Sequence, residues 1–404
     1  MTYDILITNA KTRASGKETV DIGIRAGKIA DIGKNLSTDA AQTIDAKGCL
    51  VTESFVNGHL HLDKVFTLEM AGQEALGEYH TGGMGGAMTA IERAADFKAC
   101  YDEKWIIENV RKVCRMALKH GNTHIRAFAD VDSKARLEGV KALLKAREEF
   151  KGKVELQVVA FPQDGVIREP GTEELVRQAA EMGVDVIGGI PWMEYTEELE
   201  QSHVDKMCAI AKEFDKNISM LLDDVGDPGE RTLEMLCKKS IEMGWQGRVT
   251  AQHCRAMELY NENYFRKLVA LMKQAGVGLV SDPHTGPLHA RVRDLLAAGV
   301  PVALGQDDVA DAYYPFGECN MLQIAFLASH LLWMTTFADM ELLYDMVTTS
   351  AARVLGMQGH KLEVGGNADL VVLDEEDVYH AIWHHRPPVL SLIHISEPTR
   401  LQLI

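Results

Sequence analysis

Two histidines one residue apart, His59 and His61 in GHLHLDK, follow the run FVN. Residues two apart in a strand share a face, so both imidazoles would point the same way. Imidazole pairs of this kind suit Zn or Fe. The bland alternative is a pair of polar loop histidines. Asp307 and Asp308 end the run VALGQDDVAD. A carboxylate there can complete a metal site and take a proton from water; the competing role is a helix N-cap. His253 closes VTAQHC. Alone it reads as structural, and it gains weight only from the other motifs. Gln163 in VVAFPQDG offers both a donor and an acceptor, as recognition of a cyclic amide or amidine needs; otherwise it is a turn residue beside Pro162 and Gly165. Lys64, directly after the histidine pair, is either a substrate-contacting cation or a solvated charge. Trp192, Met193 and Tyr195 in IPWMEYT are candidates to wall a pocket, and His284 in SDPHTG, beside Asp282, is a substrate-contact candidate. His384 and His385 in AIWHHRPP read as part of a β region remote from the site.

These residues need a scaffold. Gly121, Gly152, Gly183, Gly244, Gly276 and Gly299 each end a helix-like run and precede an apolar run. A glycine there fits the left-handed residue that closes a helix. The β-branched runs that follow fit buried parallel strands. Asn217 in DKNISMLLDD can serve as the same kind of cap. Strands then begin near Leu50, Thr123, Val154, Val184, Ile218, Val249, Val277 and Val302. Eight strands alternating with helices predict an α/β fold, a (β/α)8 TIM-like barrel. A doubly wound open sheet is the alternative, weakened because no glycine-rich dinucleotide turn follows the first strand. The histidine pair, Gln163, His253 and the Asp pair then fall at the carboxyl ends of the first, third, sixth and eighth strands, where barrel active sites gather.

Both ends of the chain read as strands: DILITNA, TVDIGIRAGKIADIG and QTIDAKGCL at the start, KLEVGGNADLVVLD near the end. This predicts a small β domain from residues 1–52 and 358–390 flanking a barrel over 53–357. The final stretch, SLIHISEPTRLQLI, fits neither pattern and resembles translated sequencing-adapter sequence, so residues 391–404 are set aside as a non-native tail. Lys+Arg is 42 and Asp+Glu is 59 in 404 residues, a net charge of −17. That argues against nucleic acid and anionic lipid as partners. No apolar run approaches the roughly 20 residues that span a bilayer, and the N-terminus has no secretion-signal pattern. Seven scattered cysteines suggest no disulfide framework and point to a reducing cytoplasm.

Taken together, GHLHLDK, VVAFPQDG, VTAQHCRAM, LGQDDVADAYYPFG with CNMLQ, and GGNADLVVLD resemble the amidohydrolase superfamily, most closely its cytosine deaminase-like branch, which includes the N-isopropylammelide hydrolases. The resemblance runs from about residue 3 to about residue 388. It implies a distorted barrel with a small β domain and one divalent ion, Zn or Fe, with Mn an option. It implies that His59 and His61 are ligands and that Asp307 is both ligand and proton acceptor. His253 would orient the water or the developing oxyanion, Gln163 would contact the ring edge, and Asp308 would lie near the leaving group. Two departures stand out. Leu221 falls where relatives carry a fifth-strand histidine ligand, with Asp224 at the position of the catalytic glutamate, and Phe128 replaces another histidine. Three readings follow. His253 moves into the ligand set; Asp223 or Asp224 supplies oxygen to a harder ion; or metal binds weakly and the protein is inactive.

The resulting expectation is a metal-dependent hydrolase of C–N bonds in a cyclic amidine or amide, deaminating an aminated N-heterocycle. Its catalytic residues are Asp307, Asp224 and His253. Its metal ligands are His59, His61, Asp307 and His253, and its substrate contacts Gln163, Asp308, Lys64, Trp192 and His284. It would be a cytoplasmic homo-oligomer with a small-molecule partner. The alternative is a metal-poor, ligand-binding relative without turnover.

Overall fold

The computed structural model describes residues 3–71, 97–392 and, as backbone, 402–403. The N-terminal segment forms β1 (Tyr3–Ala10), β2 (Val20–Arg25), β3 (Lys28–Gly33), β4 (Ala40–Asp45) and β5 (Leu50–Glu53). The first four make one sheet, ordered β3-β2-β1-β4. Alternation puts Ile5 and Ile7 of β1 and Ile22 and Ile24 of β2 inward.

Next comes the barrel: β6 (Phe55–His61), β7 (Asn122–Asp130), β8 (Glu155–Phe161), β9 (Val186–Gly189), β10 (Asn217–Leu222), β11 (Val249–His253), β12 (Gly278–Ser281) and β13 (Val302–Leu304). Each pairs with the next in sequence, all in parallel. The ring closes where β13 meets β6, through a bridge between Leu60 and Asp307. Helices such as Glu103–Lys119, Glu197–Glu213 and Glu262–Ala275 lie between strands and bury Val110, Met207 and Leu268 in the shared core.

Beyond the barrel, β14 (Leu370–Leu373) and β15 (Leu390–Leu392) return beside β5, and β16 (Gln402–Leu403) edges this second sheet. The two small sheets share one core, in which Ile5, Ile22 and Ile24 meet Val51, Leu370 and Val372. Of the presumed tail, Ser391 and Leu392 pair with β14; residues 393–401 and 404 lie outside the described residues.

Three local expectations are corrected. The first barrel strand begins at Phe55, not Leu50. The run LVTESFV divides at Ser54: Leu50–Glu53 pairs antiparallel with β14, while the Phe55 N–H bonds the Gly121 carbonyl. The cap before β10 is Asp215, with φ 53°, and Asn217 is already the first strand residue. Aspartate tolerates the left-handed region almost as well as asparagine. Within KLEVGGNADLVVLD only Leu370–Leu373 is strand, because Gly365, at φ 91°, turns the chain before it. His384, assigned to the small β domain and away from the site, ends the helix Val378–His384 and does not line the cleft. No helix among the described residues is long and apolar enough to cross a membrane. All seven cysteines are free thiols.

Candidate metal centre and active-site cleft

The site is assembled at the carboxyl ends of the barrel strands. His59 and His61 occupy the last positions of β6, His253 ends β11, Asp282 follows β12, and Asp307 lies three residues beyond β13. Barrel closure joins two of these segments. The His59 carbonyl accepts from the Gln306 and Asp307 N–H groups at 3.1 and 2.9 Å, and the His61 N–H donates to the Asp307 carbonyl at 2.8 Å. Asn57 Oδ1 adds a clasp, accepting from the His59 N–H at 3.2 Å and the Gln306 N–H at 3.0 Å. Asp307 and His253 adopt φ 65° and 62°. Such left-handed non-glycine residues cost on the order of 1–3 kcal/mol each and persist where the surroundings enforce them.

Three imidazoles converge on one carboxylate oxygen. The Nε2 atoms of His59, His61 and His253 lie 3.2, 3.8 and 3.8 Å from Asp307 Oδ1. His59 Nδ1 is 3.0 Å from Gln252 Oε1, and Gln252 Nε2 in turn donates to Ser219 Oγ at 2.8 Å. That chain assigns the proton to Nδ1 and leaves a lone pair on His59 Nε2, which is buried with no hydrogen-bond partner. Burial, with Lys64 near His61 and Arg255 near His253, holds both rings neutral, far below the ordinary imidazole range. Burial opposes the Asp307 carboxylate, yet His253, His59 and Arg255 outweigh it and keep Asp307 well below the usual carboxylate range. Neutral imidazoles beside an ionised carboxylate are the protonation states a divalent cation requires. A tetrahedral site with bonds of about 2.0–2.2 Å needs donors roughly 3.3–3.6 Å apart. The three separations to Asp307 Oδ1 bracket that range, and ligand atoms of His59, His253, Asp282 and Asp307 all lie within 4.8 Å of one another, whereas His61 groups with Asp307 and Asp308; the donors gathered around Asp307 fit a divalent cation.

Leu221, one residue from the end of β10, faces the cleft and brings no donor. Phe128 packs against the His59 ring at 4.2 Å, and Phe161 against His61 at 5.4 Å. Asp223 is turned away. Its carboxylate accepts from Thr232 Oγ1 at 2.7 Å, the Leu233 N–H at 3.0 Å and the Tyr260 hydroxyl, capping the helix Thr232–Met243. The oxygen-ligand reading through Asp223 is therefore corrected. Asp224 lines the cleft but is gripped by Arg255 Nη1 at 2.8 and 3.0 Å. Burial pushes the Asp224 carboxyl up to about 7, against the pull of Arg255. Arg255 Nη2 also donates to Thr285 Oγ1 at 2.6 Å, and that hydroxyl lies 2.7 Å from Asp307 Oδ2.

The cleft includes Gln163, Trp192, Asp308 and Tyr313 in its wall. Gln163 Oε1 is taken by Lys64 Nζ, and its Nε2 is 3.3 Å from the Tyr313 hydroxyl. Asp308 carries a buried oxygen without a partner, and burial with the Asp307 and Asp311 charges pushes its carboxyl well up. Four candidates stand off the wall: Met193, Tyr195, Lys64 and His284. Lys64 is buried against Asp130, at 3.1 Å to both oxygens. His284 directs Nε2 at the Gln306 carbonyl, 3.1 Å away, and burial pushes its imidazole down to about 4.

Sequence reasoning missed Arg255, Thr285, Gln252 and Tyr313, and passed over Asp282. Burial and the Asp307 charge push the Asp282 carboxyl well above its ordinary value. The available signal was position alone: Asp282 begins the DPHT turn directly after a strand, and Arg255 is two residues past His253.

Residues 42–381 match the sequence profile of the amidohydrolase family. N-isopropylammelide isopropyl amidohydrolase of Pseudomonas sp. (strain ADP) is 33% identical over 374 residues, 92% of this chain and 91% of that protein. The crystal structure of 5-methylcytosine deaminase from Klebsiella pneumoniae liganded with 5-fluorocytosine superposes with a TM-score of 0.89 at 30% identity, covering 98% of this chain and 97% of that one. N-isopropylammelide isopropylaminohydrolase from Burkholderia multivorans ATCC 17616 gives 0.84 at 29% identity over 96% of each chain. Sequence and fold agree over nearly the whole length, and the chain belongs to the amidohydrolase family.

Proposed function

We propose that this enzyme hydrolyses a C–N bond of an aminated nitrogen heterocycle, a cyclic amidine or amide, by deamination. One divalent cation would be held by His59, His61, His253 and Asp307. The observation that carries this reading is the convergence of three buried imidazole nitrogens on Asp307 Oδ1, at 3.2–3.8 Å. An imidazole-rich donor set favours Zn or Fe over harder ions. Such a cation supplies Lewis acidity, which makes water nucleophilic near neutral pH.

The chain's own groups do the rest. Asp307, with Oδ2 steadied by Thr285, takes the proton of the attacking water. Asp224, whose carboxyl sits at about 7, relays a proton to the departing nitrogen while Arg255 fixes its position. Oxygen adds to the ring carbon and becomes the new carbonyl, the C–N bond breaks, one water proton leaves with the amine and the other stays on the adjacent ring nitrogen. Gln163 has its oxygen occupied by Lys64, so it offers the cleft an N–H donor. It would therefore engage a ring acceptor such as a carbonyl, while Asp308 faces the leaving side. Trp192, Leu221 and Tyr313 give a flat ring apolar walls. Two relatives are named for 5-methylcytosine and N-isopropylammelide, both aminated heterocycles.

Leu221 favours a second reading, a pocket that binds such a ring without turnover. Metal analysis after reconstitution with Zn, Fe and Mn separates the two, coupled to a screen of aminated pyrimidines, triazines and cyclic ureas. The enzyme reading expects one ion per chain, lost with activity in His59→Ala and Asp307→Asn. Protein that takes up no ion would leave only the binder.

A further inference from the structure

Resting on that reading, we propose that Asp282 is a positioning residue that holds His253 as a cation donor, where the fifth strand presents Leu221 to the cleft and brings no ligand. His253 presents its two ring nitrogens to two carboxylates. Nε2 is 3.8 Å from Asp307 Oδ1, and Nδ1 is 3.3 Å from Asp282 Oδ2. Both Asp282 oxygens and His253 Nδ1 are buried with no hydrogen bond. A buried polar pair left open is costly, so a feature that keeps it must return something. One proton shared between Nδ1 and Oδ2 satisfies both groups and leaves the Nε2 lone pair facing Asp307.

Backbone geometry is arranged for this carboxylate. Gly305 lies against it: a Cβ there would fall 2.3 Å from Asp282 Oδ1 and 2.7 Å from His59 Cβ. The eighth strand therefore omits a side chain where Asp282 fits in beside the histidines. His59 already has an equivalent support in Gln252 Oε1, at 3.0 Å from Nδ1. Asp282 gives His253 the carboxyl counterpart, 3.3 Å from Nδ1. A carboxylate behind an imidazole fixes its tautomer and raises its basicity, and loss of such a partner typically lowers metal affinity about 10–100-fold.

The test is a double-mutant cycle on full-length protein, read as Zn²⁺ affinity by chelator competition and as the visible spectrum of Co²⁺-loaded protein. Asp282→Asn is expected to weaken Zn²⁺ binding about 10–100-fold and to shift the Co²⁺ bands. In a His253→Ala background the same substitution is expected to cost nothing more, because its effect runs through that ring. Asp282→Leu serves in the same cycle should the amide variant not fold. Metal-free Asp282→Asn is expected to melt no lower than metal-free wild type, since the amide keeps an oxygen facing His253 Nδ1 and removes a carboxyl whose charge burial opposes. Unchanged affinity in Asp282→Asn overturns the proposal and leaves the proposed function standing. An added loss in the His253→Ala background overturns it too, by making Asp282 a ligand in its own right. Wild type that binds neither Zn²⁺ nor Co²⁺ overturns the metal reading itself.

Discussion

At the scale of single residues, the barrel mouth divides into groups that would meet a ligand and groups that hold them. Lys64 belongs to the second kind. Its Nζ joins Asp130 to Gln163 Oε1, and Asp130 is shared with Lys98 at 3.0 Å. Asp130 and Asp63 outweigh burial and keep Lys64 charged. Breaking a buried ion pair from one side costs about 3–5 kcal/mol, and Lys98, still beside Asp130, pulls the expectation to the lower end. Lys64→Met should thus lower the free energy of unfolding by about 3 kcal/mol in urea titration. It should also raise KM more than it lowers kcat, because the Gln163 amide loses its fixed orientation. Equal stability would show that Lys98 alone satisfies Asp130. Residues of this scale were legible when their type was unusual for its place. His59 and His61 share a short motif, whereas His253 and Asp307 gain weight only beside the other motifs. Asp282 and Arg255 have no such signal, since their partners come from other strands.

Elements carry the site through their connections. Glu194 follows the turn Pro191–Met193 that bears Trp192. One of its oxygens accepts from the Val166 and Ile167 N–H groups at 2.6 and 3.1 Å, and the other from the Arg168 N–H at 2.9 Å. His203 Nδ1 lies 2.8 Å away, and His203 Nε2 accepts from the Ile190 N–H at 3.2 Å. The loop that follows Gln163 is thereby tied to the loop that carries Trp192. Burial opposes the Glu194 charge, but His203 and the loop amides outweigh it and hold the carboxyl below its ordinary 4.5. A depressed carboxylate contributes stability that is present above its unfolded value and lost as pH falls through the folded one. Glu194→Gln should therefore cost about 1–3 kcal/mol at pH 7, and less in acid, where wild type has itself lost the contribution. Unfolding curves at the two pH values give the comparison; an equal penalty at both would remove the carboxylate charge from the account. The order of strands and helices was readable because glycines such as Gly183 and Gly244 must take a left-handed turn. The split at Ser54 was not, because one apolar run can feed two sheets without changing its periodicity.

Across the whole molecule, the proposed cation would join segments that the chain brings together late. β6 and β13 are separated by about 240 residues of sequence, and their junction rests on a single bridge, the Asn57 clasp and backbone bonds around Asp307. The barrel itself could be inferred from the eight-fold alternation. Its closure point could not, because Asn57 reads as an ordinary polar residue ahead of the histidine pair. An ion held by His59, His61, His253 and Asp307 would tie the first strand to the sixth and eighth across that junction. Binding to the folded state alone stabilises by RT ln(1 + [L]/Kd), about 2.7 kcal/mol at a hundredfold excess over Kd. Zn²⁺ should therefore raise the thermal midpoint of chelator-stripped protein, and the rise should grow with the logarithm of ion concentration. His61→Ala and Asp307→Asn should flatten that dependence, whereas a substitution in the small β sandwich, such as Ile22→Val, should lower the midpoint and leave the slope intact. A midpoint indifferent to ions in wild type would mean that the junction closes on side chains alone and that the convergence of imidazoles on Asp307 is a packing arrangement.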